Sequence, residues 1–309
     1  VAREKVAPMT TSRAEDLWLG ELARLGHSEK TVATYRRLLD KLSDAYPLVD
    51  VNELTATQLR RFLDMESLKQ DGRTRKSPAT IAQNTSIVCC FFEWLRLERL
   101  IKHNPAERIA RPKLPDRIDN DNVKTISTQD ALKLLEAANR HPKWNRRLAV
   151  NLILFLGPRR GATNQLRLRD YDQDERTITF KEKGSKTIRK PVPDALAAVL
   201  DAAIAAGEYQ TPDDYLVPGD AEQRRSGDRD PRIILRLVKE VADEVGVDCH
   251  AHALRAAFAT AFLESKPDQL LALKDLMGHS RIETTLIYLR RLNRRQAMET
   301  VRDFSWGGA

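Results

Sequence analysis

Apolar residues recur along the first hundred positions at the three- and four-residue spacing of amphipathic helices. In SEKTVATYRRLLDKLSDAY, Val32, Tyr35, Leu38, Leu39 and Leu42 share one face, and Ser28 stands where an N-cap accepts from an unpaired helical N–H. In TATQLRRFLDM, Thr55 and Gln58 have the spacing of a capping box. SPATIAQNTSIVCCFFEWLRLERL starts with Ser77 as a cap and Pro78 in the first turn, where no N–H is needed. Its stripe of Ile81, Ile87, Val88, Phe91, Phe92 and Leu95 reads as core. The pattern predicts a helical N-terminal domain over 1–105.

The pattern then breaks. NPAERIARPKLPDRIDNDN holds three prolines and no sustained apolar period, so 106–125 is predicted to be a basic, proline-rich linker. Composition leaves open whether it follows a phosphate backbone or is merely solvated. From 126 the helical period resumes in STQDALKLLEAAN, with Ser127 and Asp130 as a capping pair, and in RLAVNLILFLG, a buried helix too short to span a membrane. One β signal follows: RTITF and TIRKPVP flank the turn KEKGS, a short hairpin with Lys183 at or near its tip. Helices are predicted again over DALAAVLDAAIAA, PRIILRLVKEVADEVG, HALRAAFATAFLES, DQLLALKDLMG and IETTLIYLRRLNRRQAMETV. The expected fold is mainly α, with a mixed α/β second domain over 126–309 that carries one small antiparallel sheet.

Charge narrows the class of partner. The chain has 309 residues, with 52 Lys and Arg against 44 Asp and Glu, for a formal charge of +8. With 41% hydrophobic and 31% charged residues, this describes a soluble protein with a polyanionic partner, most often nucleic acid. VAREKVAPMTTSRAEDLW has no apolar run of the signal-peptide kind, and no membrane partner is expected. Three cysteines, Cys89, Cys90 and Cys249, lack the spacing of a zinc site or a disulfide framework and fit a reducing cytoplasm.

Several side chains could act on a phosphate. His252 and Arg255 in HALRAAFAT share a helix face at i, i+3. Arg159 and Arg160 follow a Gly-Pro break after the buried helix, where a guanidinium fork can grip two phosphate oxygens. Lys183 on a turn could protonate a leaving oxygen. In DLMGHSRIETTLIYLR, His279 and two threonines precede Tyr288, whose phenol has an ordinary pKa near 10 and needs neighbouring cations to act as a nucleophile. No acidic cluster with metal-ligand spacing accompanies them.

The order of these boxes resembles the tyrosine recombinase (phage integrase) family over nearly the whole chain. GPRRGATNQLRLRDYD is similar to its first arginine box, KEKGSKTIRKPVP to its lysine hairpin, HALRAAFAT to its HxLR box, and DLMGHSRIETTLIY to its last box. The helical first third is similar to its SAM-like core-binding domain. The resemblance implies a C-shaped DNA clamp and the roles that follow. Arg159, chosen over Arg160 by counting back from LRLRD, and Arg255 would hold the phosphate. Lys183 would protonate the leaving 5′-oxygen, His252 would assist proton movement and His279 would donate to the phosphate. Tyr288 would attack, giving a 3′-phosphotyrosyl bond. His250 lies two residues too early and counts as a neighbour. The family's acidic residue three after the arginine is Ala162 here, and the histidine often found after Arg255 is Ala256.

The resemblance further implies no cofactor or metal, a specific double-stranded DNA site, a homotetramer on two such sites with a Holliday-junction intermediate, possible accessory proteins, and action in the cytoplasm at the nucleoid. The tail LRRLNRRQAMETVRDFSW could pack on a neighbouring subunit or in cis. Two other functions stay open: relaxation of DNA by a type IB topoisomerase-like route, and DNA binding by a regulator with a degenerate site.

Overall fold

The computed structural model describes residues 9–114, 125–181, 186–219 and 229–302. Lys183, most of the linker's second half and the end of the tail lie outside the described residues. The chain divides into two compact units, 1–115 and 116–309.

In the first unit four helices enclose an aromatic and aliphatic core. A helix not singled out above comes first: α1 (Thr11–Arg24), capped by Thr10. It buries Ala14, Trp18 and Leu22 at i, i+4, i+8. α2 (Glu29–Ala45) is capped by Ser28. α3 (Ala56–Glu66) carries the complete Thr55–Gln58 capping box. α4 (Pro78–Leu97) starts from Ser77 with proline in its first turn. Trp18 stacks on Tyr35 at 5.4 Å and meets Phe91 at 5.5 Å, which in turn meets Phe92 edge-on. Ala106 is buried and Ile109 packs against the same core, so the start of the proline-rich stretch belongs to this unit's packing.

The second unit is built around α6 (Trp144–Leu156), which is buried along most of its length. α5 (Thr128–Arg140), capped by Ser127, precedes it, and a short α7 (Arg160–Gln165) follows after Gly157 and Pro158. The sheet has three antiparallel strands, β1 (Tyr171–Asp172), β2 (Thr177–Lys181) and β3 (Thr187–Pro191), in the order β1-β2-β3. The expected hairpin is β2–β3, with Ile178 opposite Lys190 and Phe180 opposite Ile188; β1 is added by the turn after α7. Then come α8 (Asp194–Ala205), α9 (Ile233–Glu244), α10 (Ala251–Ser265), α11 (Leu270–Leu276) and α12 (Glu283–Arg302). Leu148, Leu152 and Ile153 of α6 share a core with Phe180, Leu196, Leu237 and Leu254. A smaller cluster joins Ala259, Leu263, Leu273, Met277, Tyr288 and Leu292 and fastens α11 and α12 to α10. No described helix is long and apolar enough to cross a membrane.

Candidate active site

The site begins where α6 ends. Gly157 terminates the helix at φ 54°, and a Cβ placed there would fall 2.2 Å from Cδ1 of Phe258. Only glycine satisfies both the left-handed backbone and the close approach. The turn leads through Pro158 to Arg159, which caps α7 in an extended conformation. Arg159 is half-buried and its Nη2 donates to the carbonyl of Gly278 at 3.0 Å, whereas Arg160 is exposed.

Arg255 comes from the second turn of α10 and is only 2% exposed. His250 caps that helix, its Nδ1 accepting from the N–H of Ala253 at 3.1 Å. The guanidinium of Arg255 spans two segments. Nη1 donates to Gly157 O at 2.5 Å, and Nη2 to Met277 O at 2.7 Å and toward Nε2 of His279 at 3.1 Å. A guanidinium can only donate, so Nε2 of His279 accepts. The ring proton therefore sits on Nδ1 and is donated to Oγ1 of Thr285 at 2.9 Å. Burial first, then the charges of Arg255, Arg159, Lys190 and His252, push the His279 pKa down to about 4, so this neutral tautomer dominates at neutral pH.

Tyr288 lies on α12, and its ring is 6.4 Å from that of His279 at 12° between planes. Burial raises its pKa, while Arg255 and Arg159 pull it back. The pKa of His252, at the exposed mouth, is pushed down by the protein packed behind it and by Arg255 and His250. Arg159, Arg160, His252, Arg255, His279, Thr284, Ile287 and Tyr288 line a single pocket of about 390 Å³. Of the six residues singled out in the sequence, five thus meet here; the sixth, Lys183, lies outside the described residues. The two threonines separate in function: Thr284 faces the pocket and Thr285 is buried as the hydrogen-bond partner of His279. Ala162, where an acid was expected, is buried.

Sequence reasoning missed two contributors. One is the Gly157 carbonyl, which no side-chain pattern reveals. The other is Lys190, whose signal is a lysine at an inward-facing strand position.

Residues 124–295 match the phage integrase family, and residues 16–99 match the phage integrase N-terminal SAM-like domain. The chain belongs to the phage integrase family. Among curated relatives of this integrase-family chain, tyrosine recombinase XerC of Pseudomonas fluorescens is 33% identical over 265 residues, covering 84% of this chain and 85% of the relative. Tyrosine recombinase XerC of Pseudomonas aeruginosa PAO1 is 33% identical over 268 residues, with 84% of each chain covered. Among solved structures, a lambda integrase dimer bound to a COC′ core site has a TM-score of 0.71 at 18% identity, covering 97% of this chain and 80% of that one. XerH recombinase in a post-cleavage complex with its difH substrate has a TM-score of 0.70 at 19% identity, with coverages of 94% and 84%. At these identities the structural likeness speaks for the fold.

Proposed function

We propose that the protein is a site-specific DNA recombinase of the tyrosine type, cleaving and rejoining strands through a covalent 3′-phosphotyrosyl intermediate. The observation that carries this is the convergence of a tyrosine, three arginines and two histidines on one pocket. Oη of Tyr288 attacks phosphorus; the Oη–P bond forms as the P–O5′ bond breaks. Neutral His252 takes the phenolic proton, and Lys183, between β2 and β3 in sequence, gives a proton to the leaving 5′-oxygen. Arg159 and Arg255 neutralise the charge that develops on the non-bridging oxygens. The new ester keeps the energy of the phosphodiester, so the 5′-hydroxyl of a second strand reseals the backbone by reversing the step.

The geometry adds a requirement. Nε2 of His279 accepts from Arg255, so in this tautomer it cannot donate to a phosphate. For His279 to act as a donor, the entering phosphate must draw Arg255 off the ring and the imidazole proton must move to Nε2. The roles given to all six residues, a homotetramer on two specific DNA sites, and action at the nucleoid of the cytoplasm belong to this proposal. A protein that stays monomeric on its paired sites would defeat the tetramer.

A nicked suicide DNA carrying the candidate site tests the reaction. The expected result is a denaturant-resistant protein–DNA band from the parent chain and none from Tyr288→Phe, with the gel shift retained by both. A gel shift without any covalent band from the parent would move the assignment to a DNA-binding regulator. Loss of binding in Tyr288→Phe would make the tyrosine structural.

A further inference from the structure

β3 alternates between exposed and inward positions, and Lys190 occupies the most buried of them, 1% exposed. It stands opposite Ile178, itself fully buried, with its Nζ 4.9 Å from the centre of the Phe180 ring. Alternation calls for an aliphatic residue at such a position, and a methionine would fill the slot without carrying a charge out of water. A local rule broken in the core, a few residues from a reactive pocket, is a mark of function rather than of folding.

The partner of this ammonium gives the function. Nζ of Lys190 donates to the carbonyl of Leu156 at 2.7 Å. Leu156 is the last residue of α6, where carbonyls have lost their helical partners and carry the negative end of the helix dipole. The next carbonyl in the chain, that of Gly157, accepts from Arg255, and Arg159 follows two residues later. A continuous line therefore runs from Lys190 through the Leu156–Gly157 turn to Arg255 and on to His279.

We propose that Lys190 is a positioning residue for strand cleavage: its ammonium pins the carboxyl end of α6, so that the Gly157 carbonyl holds the Arg255 guanidinium in line with the pocket. The role rests on reading that pocket as a strand-cleavage site. Lys190 also ties the β2–β3 hairpin to the segment leading into Arg159. Its charge is one of those that keep His279 neutral, together with Arg255, Arg159 and His252; Thr285 and Tyr288 also face that ring.

The test compares the parent full-length chain with Lys190→Met in four measurements. These are DNA affinity by gel shift, single-turnover cleavage of the suicide substrate at saturating protein, the pH titration of the His279 imidazole by NMR, and hydrogen exchange. Affinity is expected to change by no more than about twofold while cleavage slows about 10- to 100-fold, as expected when loss of one charge-assisted hydrogen bond lets the Arg255 guanidinium drift from its position. The His279 titration is expected to move to higher pH with hydrogen-exchange protection of α6 and α10 unchanged; because loosened packing would hydrate the ring and move it the same way, a shift accompanied by lost protection is a packing effect and counts against the proposal. Parental cleavage together with an unmoved His279 titration overturns the proposal. Should Lys190→Met not fold, Lys190→Leu, which likewise removes both the donor and the charge, takes its place under the same criteria. A parent chain that forms no adduct overturns the strand-cleavage reading instead, and the His279 titration then still decides whether Lys190 acts on the site.

Discussion

Phe91, Leu39 and Trp18 in the first unit and Arg255, Lys190 and His279 in the second are all shielded from water, at 0, 0, 4, 2, 1 and 5% exposure. The first set is held by dispersion and the hydrophobic effect, which ask only that apolar volume be filled. The second is held by hydrogen bonds to particular carbonyls and to one ring nitrogen, which ask for defined directions. Filled volume tolerates exchange of one apolar residue for another, whereas directed bonds from buried cations do not. The first unit thus has the economy of a scaffold, and the second concentrates buried cations around the candidate site.

Three substitutions sharpen or break this contrast. The largest effect is expected from Arg255→Lys. A single ammonium cannot reach Gly157 O, Met277 O and His279 together, so single-turnover cleavage should fall by about 10²–10³-fold with the fold retained. Near-parental cleavage would mean that the directed bonds are dispensable and that the second unit resembles the first.

Gly157→Ala comes next. It combines a left-handed backbone with a Cβ driven into Phe258, and should cost about 2–4 kcal/mol. Hydrogen exchange should show lost protection over α6 and α10, with α1 to α4 unchanged. Equal loss in both units would show that they do not unfold separately.

The smallest effect is one of pH, and its sign differs between the units. Glu15 on α1 is 2% exposed; burial, then Asp40, raise its pKa to about 7 against the opposing pull of Arg36 and Ser43. A carboxyl with a raised native pKa contributes stability that is full below about 4.5 and lost as pH rises toward 7. His279 behaves oppositely. Its native pKa is depressed to about 4, so its contribution is full above about 6.5 and lost as pH falls toward 4. Lowering the pH from 7 to 5 should therefore strengthen the first unit and weaken the second, and hydrogen exchange resolves the two. Glu15→Gln should remove the response of the first unit alone; an unchanged response would assign it to another group.

Much of the helical framework was legible because its signals are local. Ser28, the Thr55–Gln58 pair, Ser77 with Pro78, and Ser127 each act within one turn of helix, and each caps the helix expected of it. α1 is not among the predicted helices, although Ala14, Trp18 and Leu22 repeat at i+4. Ala106 and Ile109 were read as the start of a linker; their apolar surface is covered by residues far away in sequence, which no local pattern shows. At the candidate site the residue types and their order were readable, since a phosphate calls for cations and a nucleophile.

The sequence by itself determined most of the helices, the hairpin and the order of the candidate side chains, because caps, periodicity and ordered boxes are properties of neighbours along the chain. Only the tertiary structure decided that Thr285 rather than Thr284 binds His279, that the imidazole proton lies on Nδ1, and that Lys190 and Arg255 grip adjacent carbonyls at the end of α6. These are directed bonds between residues up to 98 positions apart, from Gly157 to Arg255. They form only after packing has brought the partners together and removed the water that would otherwise compete for them.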